Sequence, residues 1–335
     1  MIITFHFAFH SFGTWYHIPQ DMILINKLWL RFILMFGKVG VDIFVIISGY
    51  FLINSKSIKV NKIIKLLTQI LFYSFSILGI YMLLIHFKIV PYNNKQILKN
   101  IFPITYSEWW FASTYFVLYL ISPYINKLLV NLDKEEYKNM LILSIIMWSI
   151  IPTISMSQFE GNNLIFFTFL YAVGGYIRLH CKDYKFKKVK RKLIFAVLIE
   201  FSLAMLIEIT GLHVYLDYIY NLNSLFIVII AITLFVIFKD LDIKYNKWIN
   251  IIASTTFGVY LIHDSHVLKP FIWKTLFRNM NYKNSIYLIP YSILQVAIIF
   301  TVCSLIEYAR QHIFKKIKVE EKIEKLINKN KDVTL

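Results

Sequence analysis

The chain has 335 residues, of which 58% are hydrophobic, and a mean hydropathy of +0.60. That apolar share exceeds the roughly 45–50% of soluble domains and excludes an ordinary water-soluble enzyme. The net charge of +17 falls in short basic segments between apolar runs, which suits topology signals and contacts with anionic membrane lipids and excludes a nucleic-acid surface.

A helix rising 1.5 Å per residue needs about 20 mostly apolar residues to cross a hydrocarbon core of about 30 Å. That window predicts an all-α, polytopic membrane bundle of about ten transmembrane helices, near residues 1–13, 34–53, 66–87, 109–129, 139–156, 163–180, 193–210, 222–238, 249–267 and 286–306. One membrane domain then covers 1–309, followed by a basic amphipathic tail over 310–335. The first segment, Met1 to Gly13, is too short to cross, and it lacks the basic flank and cleavage site of a signal peptide. It reads as the outer half of a helix whose inner half is missing, through a start codon assigned late or a truncated gene. The second segment, KVGVDIFVIISGYFLI over 38–53, carries Asp42 and the small pair Ser48-Gly49. A carboxylate there costs roughly 2.5–3.5 kcal/mol on insertion scales, so Asp42 needs a partner or a cavity. Gly49 suits a close approach to another helix or to a ligand.

Further along, 96–104 reads as a short interfacial helix, and Trp109, Trp110 and Tyr115 as an interfacial aromatic belt. Pro123 bends its helix. Glu200 and Glu208 lie in the seventh predicted span and call for structural pairing. Cys181 and Cys303 fit neither a metal spacing nor a disulfide framework. Basic residues collect at 56–65, 134–138, 178–192, 239–247 and 310–331, and are sparser at Lys27, at 88–99 and at 269–283. The excess marks the cytoplasmic side and places the C-terminus of a multi-pass cell-membrane protein there.

Two histidine groups carry the chemistry. His6 and His10 are one turn apart, and His263 and His266 flank Asp264 near the outer end of the ninth predicted span. Imidazole exchanges a proton near neutral pH, which suits general acid or base work on a hydroxyl. Taken from spacing alone, both groups read as interfacial helix-end residues. A metal pair at His6 and His10 lacks an obvious third ligand, and no metal is expected. No phosphate-binding glycine loop, nucleophile elbow or zinc-protease helix is present. The residues by themselves leave membrane enzyme and transporter level.

Four segments in order, IITFHFAFHS, VGVDIFVIISGYFLI, EWWFASTYFVLYLISPYIN and FGVYLIHDS, together resemble acyltransferase family 3, integral-membrane enzymes that acylate sugars of cell-surface polysaccharides. The resemblance implies transfer of an acyl group, most simply acetyl, from acyl-CoA to a sugar hydroxyl of a carbohydrate acceptor. His6 matches the family's first-helix histidine, His263 its late histidine, and Ser48-Gly49-Tyr50 its second-helix signature. On that implication His6 is the base, Asp42 or His263 orients it, and Lys62, Lys65 and Arg178 are candidates for the phosphates of the donor. The family pairs the first histidine with an arginine eleven residues earlier, a position that here precedes Met1. The alternatives are a glycan transporter or flippase and an inactive remnant.

Overall fold

The computed structural model describes residues 1–13, 18–157, 163–182, 185 and 188–331, with side chains through 326. The helices are α1 (Ile2–Phe12), α2 (Leu24–Leu52), α3 (Val60–His86), α4 (Asn94–Ile101), α5 (Trp110–Val130), α6 (Lys134–Ser155), α7 (Asn163–His180), α8 (Val189–Thr210), α9 (Leu225–Lys239), α10 (Lys247–His263), α11 (Leu288–Ile317) and α12 (Val319–Lys331). Short α, 3-10 and π turns lie within the segments 213–219 and 268–282. No strand occurs among the described residues. Each apolar segment read from the sequence holds a helix. Four of them, α3, α6, α8 and α11, combine the length and the uninterrupted hydropathy needed to cross a membrane.

Helix α2 is the axis of the bundle, with α1, α5, α7, α8 and α9 packed around it. Its tightest neighbour is α7. A Cβ built on Gly49 would stand 2.0 Å from the Tyr171 carbonyl oxygen, and one on Gly174 would stand 2.1 Å from that of Ile46. The two backbones therefore touch, and the close partner anticipated for Gly49 is a helix. Small residues at such crossings let dispersion contacts form along the whole helix face, which is the main attraction available between helices in lipid.

Two departures from the hydropathy window have the same electrostatic cause. The window starts its second segment at residue 34 because Lys27 and Arg31 interrupt it, whereas α2 is helical from Leu24. Arg31 is fully buried and its Nε donates to Glu208 Oε2 of α8 at 2.9 Å, with Lys27 Nζ 3.4 Å from Glu208 Oε1. Likewise the last segment was expected to end at 306, but α11 runs on to Ile317. There Arg310 forms a two-point pair with Glu307 at 2.7 and 2.8 Å, and Tyr73 of α3 donates to Glu307 Oε2 at 2.7 Å. In both places an ion pair lets charge enter a helix that would otherwise stop. Glu200 is buried with no hydrogen-bond partner among the described residues, so the pairing expected of both acids in α8 is found for Glu208 alone.

In α5, Pro123 cannot donate to the Tyr119 carbonyl four residues back, and the Ser122 hydroxyl takes that acceptor at 2.8 Å. Beyond Lys318, which adopts a left-handed conformation at φ 54, the tail helix α12 turns back to pack along α3. The chain direction changes at Lys318, eight residues after the start of the tail expected over 310–335.

Gly49→Val forces α2 and α7 apart and is expected to cost at least the roughly 1–3 kcal/mol of an overpacked core. Gly79→Ala meets nothing within 4 Å and is expected to leave stability unchanged or slightly raised. Unfolding of the two variants in mild detergent compares them directly. Arg310→Met, which strands a buried carboxylate, is expected to cost about 3–5 kcal/mol. In the same assay the Glu307→Gln, Arg310→Met pair is expected to recover part of that loss.

Candidate active site

Helix α1 is buried on most of its surface, so its polar side chains are carried inward with it. His6 and His10, one turn apart with ring centroids 5.0 Å apart, meet the C-terminal end of α10. That helix stops at His263, and the N–H of the capping residue Asp264 donates to the Tyr260 carbonyl.

The contacts fix the proton positions. His263 Nδ1 lies 2.5 Å from the Val259 carbonyl oxygen, and His263 Nε2 lies 2.9 Å from His6 Nδ1. A carbonyl can only accept, so His263 carries its proton on Nδ1 and offers a lone pair at Nε2. His6 Nδ1 then donates to that lone pair, which leaves His6 Nε2 as a free acceptor. Asp264 Oδ1 stands 3.7 Å from His6 Nε2, 3.6 Å from His10 Nε2 and 2.9 Å from Lys269 Nζ. The carboxylate is therefore placed to stabilise positive charge forming on His6.

His6 and His263 are 8% and 1% exposed, which corrects the interfacial placement that spacing alone favoured. The cause is packing: α2, α11 and the turn over Phe271–Leu276 close over α1. Only His266 of the second group remains partly solvated. Its backbone N–H is tied down by Glu108, whose Oε1 accepts from His266 N at 3.1 Å and whose Oε2 accepts from the side-chain amide of Gln96 of α4 at 3.0 Å. The aromatic belt is also corrected. Trp109 is buried, Trp110 faces the cavity beside His6, and Tyr115 bonds Ser48 Oγ at 3.1 Å inside the bundle.

His6 lines a cavity of about 430 Å³, the outer cavity in the topology expected from the charge pattern, together with His10, Lys38, Glu108, Trp110 and Asp264. The Lys38 ammonium lies 4.8 Å from the Trp110 ring centre, a cation–π distance. Asp217, on the loop before α9, completes the rim, and burial raises its carboxyl above its ordinary value. Lys38, Glu108 and Lys269 were not selected from the sequence. The available signal for Lys38 was its place one turn from Asp42 in the same apolar run. Asp42 itself is fully buried in α2, and its carboxylate has no hydrogen-bond partner among the described residues, so His263 and not Asp42 is the group brought against His6.

A second cavity, of about 470 Å³, lies toward the C-terminal end of α2 and is lined by Lys62, Lys65, Ser48, Gln69 and Tyr115. Arg178 is not with them: its guanidinium stacks 5.0 Å from the Tyr50 ring and donates to the Tyr50 hydroxyl at 3.3 Å. Along α2, Phe44 falls between Lys38 and Ser48. Along α5, Phe111 falls between Trp110 and Tyr115, and along α10, Tyr260 falls between Phe257 and His263. These rings touch one another, with Phe44–Phe111 centroids at 5.3 Å and Phe111–Tyr260 at 5.6 Å. They form a partition between the two cavities.

The sequence offered His6 and His10 no third metal ligand, and the fold supplies one. Donor atoms of His6, His10 and Asp264 lie within 4.8 Å of one another. The Lys269 ammonium, 2.9 Å from Asp264 Oδ1, already provides a positive charge at that carboxylate.

Comparison with curated proteins and with solved structures finds no match. Residues 1–308 match the family model described as an acyltransferase domain. That match spans every residue that lines the two cavities, from Phe5 to Lys269, and by it the chain belongs to acyltransferase family 3, the membrane acyltransferases.

Proposed function

We propose that the protein transfers an acyl group, most simply acetyl, from cytoplasmic acyl-CoA to a sugar hydroxyl of a cell-surface or exported polysaccharide. The observation that carries this reading is the relay from the Val259 carbonyl through His263 to His6, which leaves His6 Nε2 unprotonated in a cavity. A hydroxyl is a weak nucleophile until its proton is removed as it attacks. His6 Nε2 takes that proton while the hydroxyl oxygen bonds to the thioester carbonyl carbon. The carbon–sulfur bond breaks, and the sulfur leaves with its electron pair and receives a proton, so ester and free thiol are the products. The donor supplies an activated carbonyl with a good leaving group. Asp264 stabilises the imidazolium formed on His6, and His263 holds the ring in register. Asp42 keeps a more distant part, as a buried carboxyl one turn from Lys38.

The inner cavity suits the donor. Lys62 and Lys65 bring two ammonium groups to an otherwise apolar and hydroxyl-lined space, a combination that matches phosphates joined to a long uncharged arm, whose thioester end reaches His6 when the Phe44, Phe111 and Tyr260 side chains part to admit it. Arg178, directed at Tyr50, plays no part in that cavity. In the ten-span topology with a cytoplasmic C-terminus, the basic segments put Lys62 and Lys65 on the cytoplasmic side and His6 toward the outside.

His6→Ala is expected to lower acyl transfer about 10²-fold or more, the usual contribution of a general base. His263→Gln is expected to lower kcat with KM for both substrates nearly unchanged. Consumption of acetyl-CoA by purified protein with a sugar acceptor measures both. Unchanged ester formation in His6→Ala would remove His6 from the mechanism, and glycan movement without thioester consumption would favour a transporter. Lys62→Ala with Lys65→Ala is expected to raise KM for the acyl-CoA about tenfold, the equivalent of 1.4 kcal/mol, while leaving acceptor KM unaltered.

A further inference from the structure

Beside the outer cavity lies a larger cleft of about 930 Å³, and the two share Phe9, His10 and Lys269 as a common wall. Its remaining wall includes Lys274, Arg278, Asn279 and Asn281. No carboxylate lines it among the described residues. Lys274 and Arg278 are exposed and join no ion pair among the described residues, in contrast to Lys269, held by Asp264, and Lys283, held by Asp21. The segment 269–283 is also the most basic of those that the charge asymmetry assigns to the outside, where topology does not call for Lys or Arg. The cleft volume is at the upper end of the roughly 300–1,000 Å³ of small-molecule sites, enough for a stretch of several sugar rings.

We propose that this cleft is the acceptor site and that it selects an anionic glycan, one bearing carboxylates or phosphates that Lys274 and Arg278 bind. Guanidinium and ammonium groups bind such oxyanions through charge-assisted hydrogen bonds. Ser11 and Asn281 add donors and acceptors for hydroxyls, and the buried Asn279 fixes Ser11 by donating to its hydroxyl at 2.6 Å while accepting from Gln295 at 2.6 Å. A glycan lying in the cleft meets the shared wall at His10 and Lys269, and a hydroxyl directed past that wall reaches His6. The proposal rests on the acyl-transfer reading only for what happens to the bound glycan. Binding itself does not require it.

The test uses the full chain in lipid nanodiscs and equilibrium binding of three fluorescent probes: a short uronic-acid oligomer, a polyol-phosphate oligomer of matched length, and the carboxyl-reduced form of the first. Wild type is expected to bind at least one anionic probe about tenfold more tightly than the neutral one, with the preference collapsing near 1 M salt, where the screening length falls to about 3 Å. Whichever anionic probe wins distinguishes carboxylate from phosphate. Lys274→Gln with Arg278→Gln is expected to bind all three alike, and Lys274→Arg is expected to keep the preference. Equal binding of charged and neutral probes by wild type, or an undiminished preference in the double variant, overturns the proposal. Displacement of the anionic probes by anionic lipid at equal charge would make the cations a headgroup site and overturn it as well. Charge-selective binding without ester formation on any probe would sustain the cleft and remove the acyl-transfer reading.

Discussion

The contact on which the arrangement depends is backbone against backbone, where α2 crosses α7 at Gly49 and Gly174. In lipid, apolar side chains gain little by leaving one hydrocarbon surroundings for another, so helices are held by close fit and by polar contacts. The crossing fixes α2 at the centre, and α2 carries Arg31, Lys38, Asp42 and Ser48 in succession. Their depths are thereby set: Arg31 in the ion pair with Glu208, Lys38 at the outer cavity, Ser48 at the inner one.

The chemistry of the outer cavity follows from a helix ending at the right place. α10 stops at His263, so the same turn supplies an imidazole that bonds inward to Val259 and a carboxylate, Asp264, that faces outward to His6, His10 and Lys269. One short helix, α1, brings His6 to meet them. Two elements about 250 positions apart in sequence thus complete one relay, with His6 and His263 separated by 257 residues.

Much of this was legible in the chain. Apolar windows located the helices because hydrocarbon imposes a length requirement that composition reveals directly. Histidines 6 and 263 were visible as polar residues in apolar surroundings, and His263 was named as a partner for His6. What could not be read was whether such groups sit at an interface or inside, since the spacing of His6 and His10 is identical in both cases. Trp110 and Tyr115 illustrate the same limit: rings five positions apart on α5 end in different cavities because of what packs against them. The helix ends were misplaced at Leu24 and Ile317 because a window sees one segment, while the charges there are neutralised by residues on the partner helix α8 or on the last turns themselves.

The partition formed by Phe44, Phe111 and Tyr260 has a consequence for the cell rather than for the reaction. A bilayer bearing a potential does work of about 2.3 kcal/mol on each charge per 100 mV, so any continuous thread of water through a protein would short-circuit it. Where Phe44, Phe111 and Tyr260 meet edge to face, apolar rings interrupt such a thread between the two cavities.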